Sequence, residues 1–242
     1  MGLRSVDGIR FLQNTVAALQ STSGGGLVVG DGIGAIQRDT LSLSVDGNRA
    51  AADLFINRGG SYVERFQQTG NRDFLDLAIA DFRESTRQNP GDIRGYNQLG
   101  DALLRAGDAA GAVEAFREGI ARRPENVEAR RGLARALTQT GDLGGAREAI
   151  ASAMQLDRAN PENFNVLGNI EIAAGNFDAA REAFEQARQL DPINANAMVG
   201  LADVYYAEGD REQAEEFIRA AAALAPTDLD VLARLRQINR GR

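Results

Sequence analysis

Cysteine, histidine and tryptophan are absent from the 242-residue chain, and no lysine occurs either, so all 27 basic residues are arginine. Without Cys or His there is no thiolate nucleophile, no imidazole base, no disulfide and no Cys/His zinc site. Without Lys there is no Schiff-base chemistry and no phosphate-loop lysine. No metal or cofactor site is expected. Acids outnumber bases, and the formal net charge of -7 argues against a nucleic-acid partner, whose phosphates call for a basic surface. Residues 1–48 carry three Arg against four Asp, so they form no basic arm. No apolar run is long enough to span a membrane.

What the chain has in abundance is periodicity. Leu99, Leu133, Leu167, Leu201 and Leu235 lie 34 residues apart, as do Gly107, Gly141, Gly175 and Gly209. Ala78, Ala112, Ala146, Ala180 and Ala214 form another column, and Phe82, Phe116, Ile150, Phe184 and Ile218 a fourth. Pro90, Pro124, Pro192 and Pro226 share a phase, with Arg158 in the gap. Within a copy, Leu99, Leu103, Ala112, Phe116 and Ile120 recur at three- or four-residue steps on either side of a break. That pattern predicts an apolar stripe on each of two helices. Gly107 suits the left-handed residue that ends the first helix, Asp108 can cap the next, and proline stops the second. A pair of such helices cannot bury its apolar faces alone, whereas stacked copies can.

These columns resemble the tetratricopeptide repeat (TPR) family. One copy carries its motif as Phe164, Leu167, Gly168, Gly175, Ala180, Phe184, Ala187 and Pro192, and another as Tyr96, Leu99, Gly100, Gly107, Ala112, Phe116 and Pro124. The resemblance covers roughly residues 61–228. It implies an all-α, right-handed solenoid of about five helix pairs over residues 49–242, closed by a capping helix at 229–240. The first copy is divergent: Tyr62 and Phe66 precede Gly70-Asn71, with a longer turn expected before Phe74. Ser61 and Glu64 are placed for a capping box. Gly59-Gly60 should break or kink any longer helix beginning near Asn48.

Residues 1–48 stand outside the repeat. Val6, Ile9, Leu12, Val16 and Leu19 predict an amphipathic helix over 5–20, interrupted by Arg10 and Asn14, which argues against a secretory segment. With no signal peptide recognised, a cytoplasmic location is the default. Ser21 to Gly26 reads as a flexible linker. Leu41, Leu43 and Val45 alternate with Ser42 and Ser44, which predicts a half-buried strand, with turns at Asp31-Gly32 and Asp46-Gly47. Gly30-x-Gly32-x-x-Ala35 fits a dinucleotide-binding fingerprint, but that motif needs a helix after it and a βαβ unit around it.

Paired acids such as Glu215-Glu216, or Glu182 with Glu185, have arginine neighbours and read as salt-bridged helix faces, with Arg181 and Glu185 as an i,i+4 pair. The TPR resemblance implies that the first helices line a concave groove. By repeat phase its inward residues include Arg94, Asn97, Asp101, Arg131, Arg135, Asn165, Asn169, Asn196, Asp203 and Tyr206. Asn can present a donor and an acceptor to a peptide backbone, and Arg can hold a carboxylate. The basic-residue and Asn pairing of the family's carboxylate clamp is not reproduced. The resemblance therefore implies a non-enzymatic scaffold with a protein or peptide partner. The alternative is a filament subunit whose residues 1–48 dock on the next copy of the chain, which would place it outside the cell.

Overall fold

The structure, a computed structural model, describes residues 33–240. Among them the chain forms eleven helices and no strand. In order these are α1 (Ile33–Thr69), α2 (Arg72–Gln88), α3 (Ile93–Ala106), α4 (Ala109–Arg122), α5 (Val127–Thr140), α6 (Leu143–Leu156), α7 (Pro161–Ala173), α8 (Phe177–Leu190), α9 (Ala195–Glu208), α10 (Arg211–Leu224) and α11 (Leu229–Arg240). Chain contacts divide the protein into two units, Met1–Ala51 and Ala52–Arg242. In the second unit each helix packs on its successor from α2 to α11. The first helices of successive copies, α3, α5, α7, α9 and α11, also touch one another, while the second helices make no comparable contact among the described residues. This asymmetry makes an all-α solenoid curved with its first helices inside.

The turns follow from their residues. Gly107, Gly141, Gly175 and Gly209 all take left-handed φ, from +76° to +86°, and end the first helices. Asp108, Asp142 and Asp210 then accept the backbone N–H of Gly111, Gly145 and Gln213, capping the second helices. A further column caps the first helices: Asp92, Asn126, Asn160 and Asn194 each accept a backbone N–H from the helix that follows. The second helices end two residues before Pro90, Pro124, Pro192 and Pro226, and equally two residues before Arg158. Proline thus reinforces a stop that the cap column already sets.

Phenylalanine and glycine interlock in the core. Phe116 is almost fully buried, and its ring tip lies against Gly100 of its own copy and Gly132 of the next, where an added Cβ would stand 2.5 and 2.3 Å from ring atoms. Phe184 repeats the arrangement against Gly168 and Gly200, with the same distances. In the copy between them the ring is replaced by Ile150, and the matching positions are Ala134 and Val166. From Phe116 onward the column therefore alternates between Phe and Ile, while the first copy carries Phe82.

The start of the chain departs from the sequence expectations. Residues Leu41 to Val45 are helical, not a strand. Five alternating residues are a weak signal, a two-stranded piece is marginal in water, and adding a residue to an existing helix costs little. Gly59-Gly60 neither breaks nor ends α1. Gly59 is buried because α1 and α2 approach closely there: a Cβ on it would lie 2.6 Å from the Phe82 ring. Ser61 caps nothing and donates to the Asn57 carbonyl inside the helix. The turn before Phe74 is short: Gly70 takes φ +68° and Asn71 caps α2. Phe74 then stacks on Tyr62 with ring centroids 6.3 Å apart. The predicted helix at 5–20, the linker at 21–26 and the start of the glycine motif lie outside the described residues. A helix does follow Gly32, yet α1 leads to α2 and no βαβ unit exists among the described residues.

Candidate groove on the first helices

The inner face of the second unit carries two cavities. One, of about 350 Å³, lies across α5, α7 and α9 and is lined by Glu128, Arg131, Arg135, Glu162, Asn165, Val166, Asn169, Asn196, Val199, Gly200 and Asp203. The other, of about 370 Å³, lies between α9 and α11 and shares Asn196 and Val199 with the first. It is completed by Asp228, Val231, Ala233, Arg234 and Gln237. The shared residues join the two into one open trough.

Of the residues singled out by repeat phase, Arg131, Arg135, Asn165, Asn169, Asn196 and Asp203 meet at the first cavity. The others do not. Arg94 sits near the start of the solenoid, paired with Asp53 and Asp92. Burial pushes the Asp92 carboxyl up, but hydrogen bonds from Arg94 outweigh it and hold it below its ordinary value. Asp101 pairs with Arg135 at 2.6 Å. Tyr206 is half-buried against the C-terminal core and lines neither cavity. Its neighbour Tyr205 stacks on Phe217 at 5.5 Å, and the Arg181 guanidinium also lies over its ring.

Asn97 is buried at the joint between copies. Its Nδ2 donates to Glu128 at 2.8 Å, and its Oδ1 accepts from Asn126 Nδ2 at 3.1 Å. Asn126 in turn caps α5. Two copies later Asn165 and Asn194 pair at 3.1 Å in the opposite direction, Asn165 Nδ2 donating to Asn194 Oδ1, and Asn194 caps α9. These amides join neighbouring copies and cap helices. The signal for them was legible: an Asp or Asn stands two residues after every proline of the repeat and after Arg158.

The charges of the trough are mostly committed. Arg135 bonds Asp101, and Asp203 bonds Arg234 of α11 at 2.9 Å. Burial pushes both Asp101 and Asp203 up, against the pull of those arginines. Glu128 and Glu162 sit in the first turns of α5 and α7, where the helix N-terminus favours an acid, and each accepts from an Asn amide. Arg131 is half-buried and makes no ion pair or side-chain hydrogen bond among the described residues. The Asn165 Oδ1 is buried without a donor.

Elsewhere several acids form i,i+3 or i,i+4 salt bridges, Glu215 with Arg219 among them, but the expected Arg181–Glu185 pair is not one of these. Arg181 pairs with Asp178 and Glu208 instead of Glu185, and Glu185 pairs with Arg188. Arg147 grips Glu171 through two hydrogen bonds of 2.7 and 2.8 Å. That contact, with a bond from Asn176, lowers the Glu171 carboxyl despite its burial. No group of acids among the described residues is arranged to hold a metal ion, and no described helix is long and apolar enough to cross a membrane.

Solved structures with the same fold are numerous. A thermophilic TPR protein of Thermus thermophilus, TTC0263, aligns with a TM-score of 0.64 at 21% identity, over 74% of this chain and 98% of that one. PilF of Pseudomonas aeruginosa aligns with a TM-score of 0.59 at 19% identity, over 80% of this chain and 85% of its own. MamA of Desulfovibrio magneticus RS-1 aligns with a TM-score of 0.51 at 20% identity, over 71% and 97%. At these identities the likeness concerns the fold. No protein of curated function matches the chain in sequence. Residues 72–240 match the family described as the cilia and flagella-associated protein 70 C-terminal domain. With that match over more than half its length, and with its capped, interlocked helix pairs, the chain belongs to the tetratricopeptide-repeat family, whose solenoids serve as protein-interaction scaffolds.

Proposed function

We propose that the protein is a non-enzymatic scaffold whose trough on α5, α7, α9 and α11 takes an extended segment of a protein partner. The observation that carries this reading is the continuity of the two cavities through Asn196 and Val199, which suits a chain running along the trough. The trough is polar and open. The test is panning a random peptide library on the full chain and measuring the selected peptides against two variants. Asn169→Trp places a bulky ring on an exposed position of the trough, and Gln186→Trp places the same ring on a second helix, away from it. Peptides that lose affinity for the first variant and keep it for the second support the reading. Peptides indifferent to Asn169→Trp overturn it.

The apolar pattern of residues 5–20 favours a second reading, in which the N-terminal segment docks on a neighbouring copy and builds a filament. Its test is size analysis of the chain with and without residues 1–32, which leaves every described helix in place. Polymers that vanish on deletion support it, and a monomer in both forms refutes it.

A further inference from the structure

We propose that the trough reads a partner segment through two features in a fixed spacing: one acidic side chain held by Arg131, and one apolar side chain seated on Val199, Val231 and Ala233. The proposal rests on the trough reading above and adds the chemistry of its occupant. Five charged residues line the first cavity: Arg135 and Asp203 are ion-paired with Asp101 and Arg234, and Glu128 and Glu162 accept from Asn amides that leave their charges in place. Arg131 is half-buried and makes no ion pair among the described residues. A half-buried guanidinium outside any ion pair is the group here that gains most from an incoming carboxylate. Beside it Asn169 and Asn196 expose amides, so the main chain of the same segment finds polar partners nearby.

The second cavity has a different character. Its Arg234 is held by Asp203, and Val199, Ala233 and the buried Val231 form its apolar part beside Asn196, Asp228 and Gln237. Arg131 stands on α5 and the valines on α9 and α11, two to three first-helix steps away. At about 8–10 Å per packed helix and about 3.3–3.6 Å per extended residue, the two features are about six residues apart in the partner.

The probe is a set of synthetic peptides with blocked termini, each holding one Glu and one Leu in a Ser/Gly background, in both orders and at separations from about two to about ten residues. Fluorescence anisotropy with the full chain should show strongest binding at a separation of about six, and Arg131→Gln should weaken it by about tenfold or more. Arg117→Gln, at an exposed position of the second helix α4 that lines neither cavity, should change it by less than about twofold. Circular dichroism confirms that each variant stays folded. Binding unaffected by Arg131→Gln but abolished by Asn196→Trp, which fills the junction, overturns the acid reading while leaving the trough reading standing. Binding unaffected by both overturns the two together. Equal binding of peptides with Gln in place of Glu, no dependence on spacing, or no binding by any peptide of the set also overturns the proposal.

Discussion

Gly132→Ala is the sharpest test of the alternating core. Gly132 lies in the interior of α5, where Ala is intrinsically better than Gly by about 1 kcal/mol. Secondary structure alone therefore predicts a gain. The packing predicts the reverse: the new Cβ would stand 2.3 Å from two atoms of the Phe116 ring, and Gly100 closes on the same ring tip from the other helix. The ring is buried and has no free side toward which to move. Overpacking of this kind costs about 1–3 kcal/mol, so the net result is a loss of up to about 2 kcal/mol. Replacing Phe116 by Ile removes the obstacle and reproduces the neighbouring copy, where Ile150 sits with Ala134 and Val166. In that background Gly132→Ala should turn from a loss into a gain of up to about 1 kcal/mol. Urea unfolding followed by circular dichroism on the wild type, both single variants and the double variant gives the coupling directly. A gain from Gly132→Ala in the wild-type background, or the same effect in both backgrounds, would refute the size-matching argument.

Three further outcomes are expected. Leu201→Asp, at a fully buried position, should destabilise by about 3–5 kcal/mol, and Leu167→Asp, at the same phase but only partly buried, by less; equal effects in urea unfolding would contradict the packing. Asn126→Ala removes the α5 cap and strands the buried Asn97 oxygen, for a loss of about 2 kcal/mol, whereas Asn160→Ala, with no Asn partner at the joint, should cost about 1 kcal/mol in the same assay. Glu171 and Asp101 should respond to pH in opposite senses. The lowered Glu171 carboxyl stabilises the fold above its unfolded-state pKa, so Glu171→Gln should be damaging at neutral pH and progressively less so as acid protonates the native carboxylate. The raised Asp101 carboxyl favours the fold in its protonated form and weakens it as pH rises, so Asp101→Asn should be harmless or stabilising at neutral pH, read from melting curves across the acid range.

Repetition made most of the solenoid legible. A column such as Gly107 to Gly209 averages out the noise of any one copy, and all four glycines take the left-handed conformation their phase implies. Where repetition stops, the reading weakened. Leu41 to Val45 had only local alternation to judge by, and Gly59-Gly60 only its reputation as a breaker. The reason for Gly59 lies in the ring of Phe82, on the next helix, which no local pattern can reveal. The cap column at Asp92, Asn126, Asn160 and Asn194 was present in the sequence at the repeat spacing, but capping leaves no apolar signature, and a search keyed to hydrophobic columns passes over it.

The groove shows why phase places a residue without giving it a role. Asn97, Arg131, Asn165 and Val199 occupy one phase in four successive copies. In the first and third, the side chain is an amide that meets the capping Asn126 or Asn194 at 3.1 Å, and it is drawn into the joint between copies. In the second and fourth, the side chain is Arg or Val. Neither reproduces that amide pair, and Asn160, the cap that follows Arg131, bonds Asp157 at 2.8 Å instead. Arg131 and Val199 are therefore left on the trough. From Phe116 onward the core shows the same rhythm, Phe116 and Phe184 alternating with Ile150 and Ile218, whereas the first copy carries Phe82. Successive copies are thus not equivalent subsites. Odd copies devote this position to holding the solenoid together, and even copies leave it lining the trough, so a segment lying there would meet chemically distinct contacts at intervals of two copies instead of one.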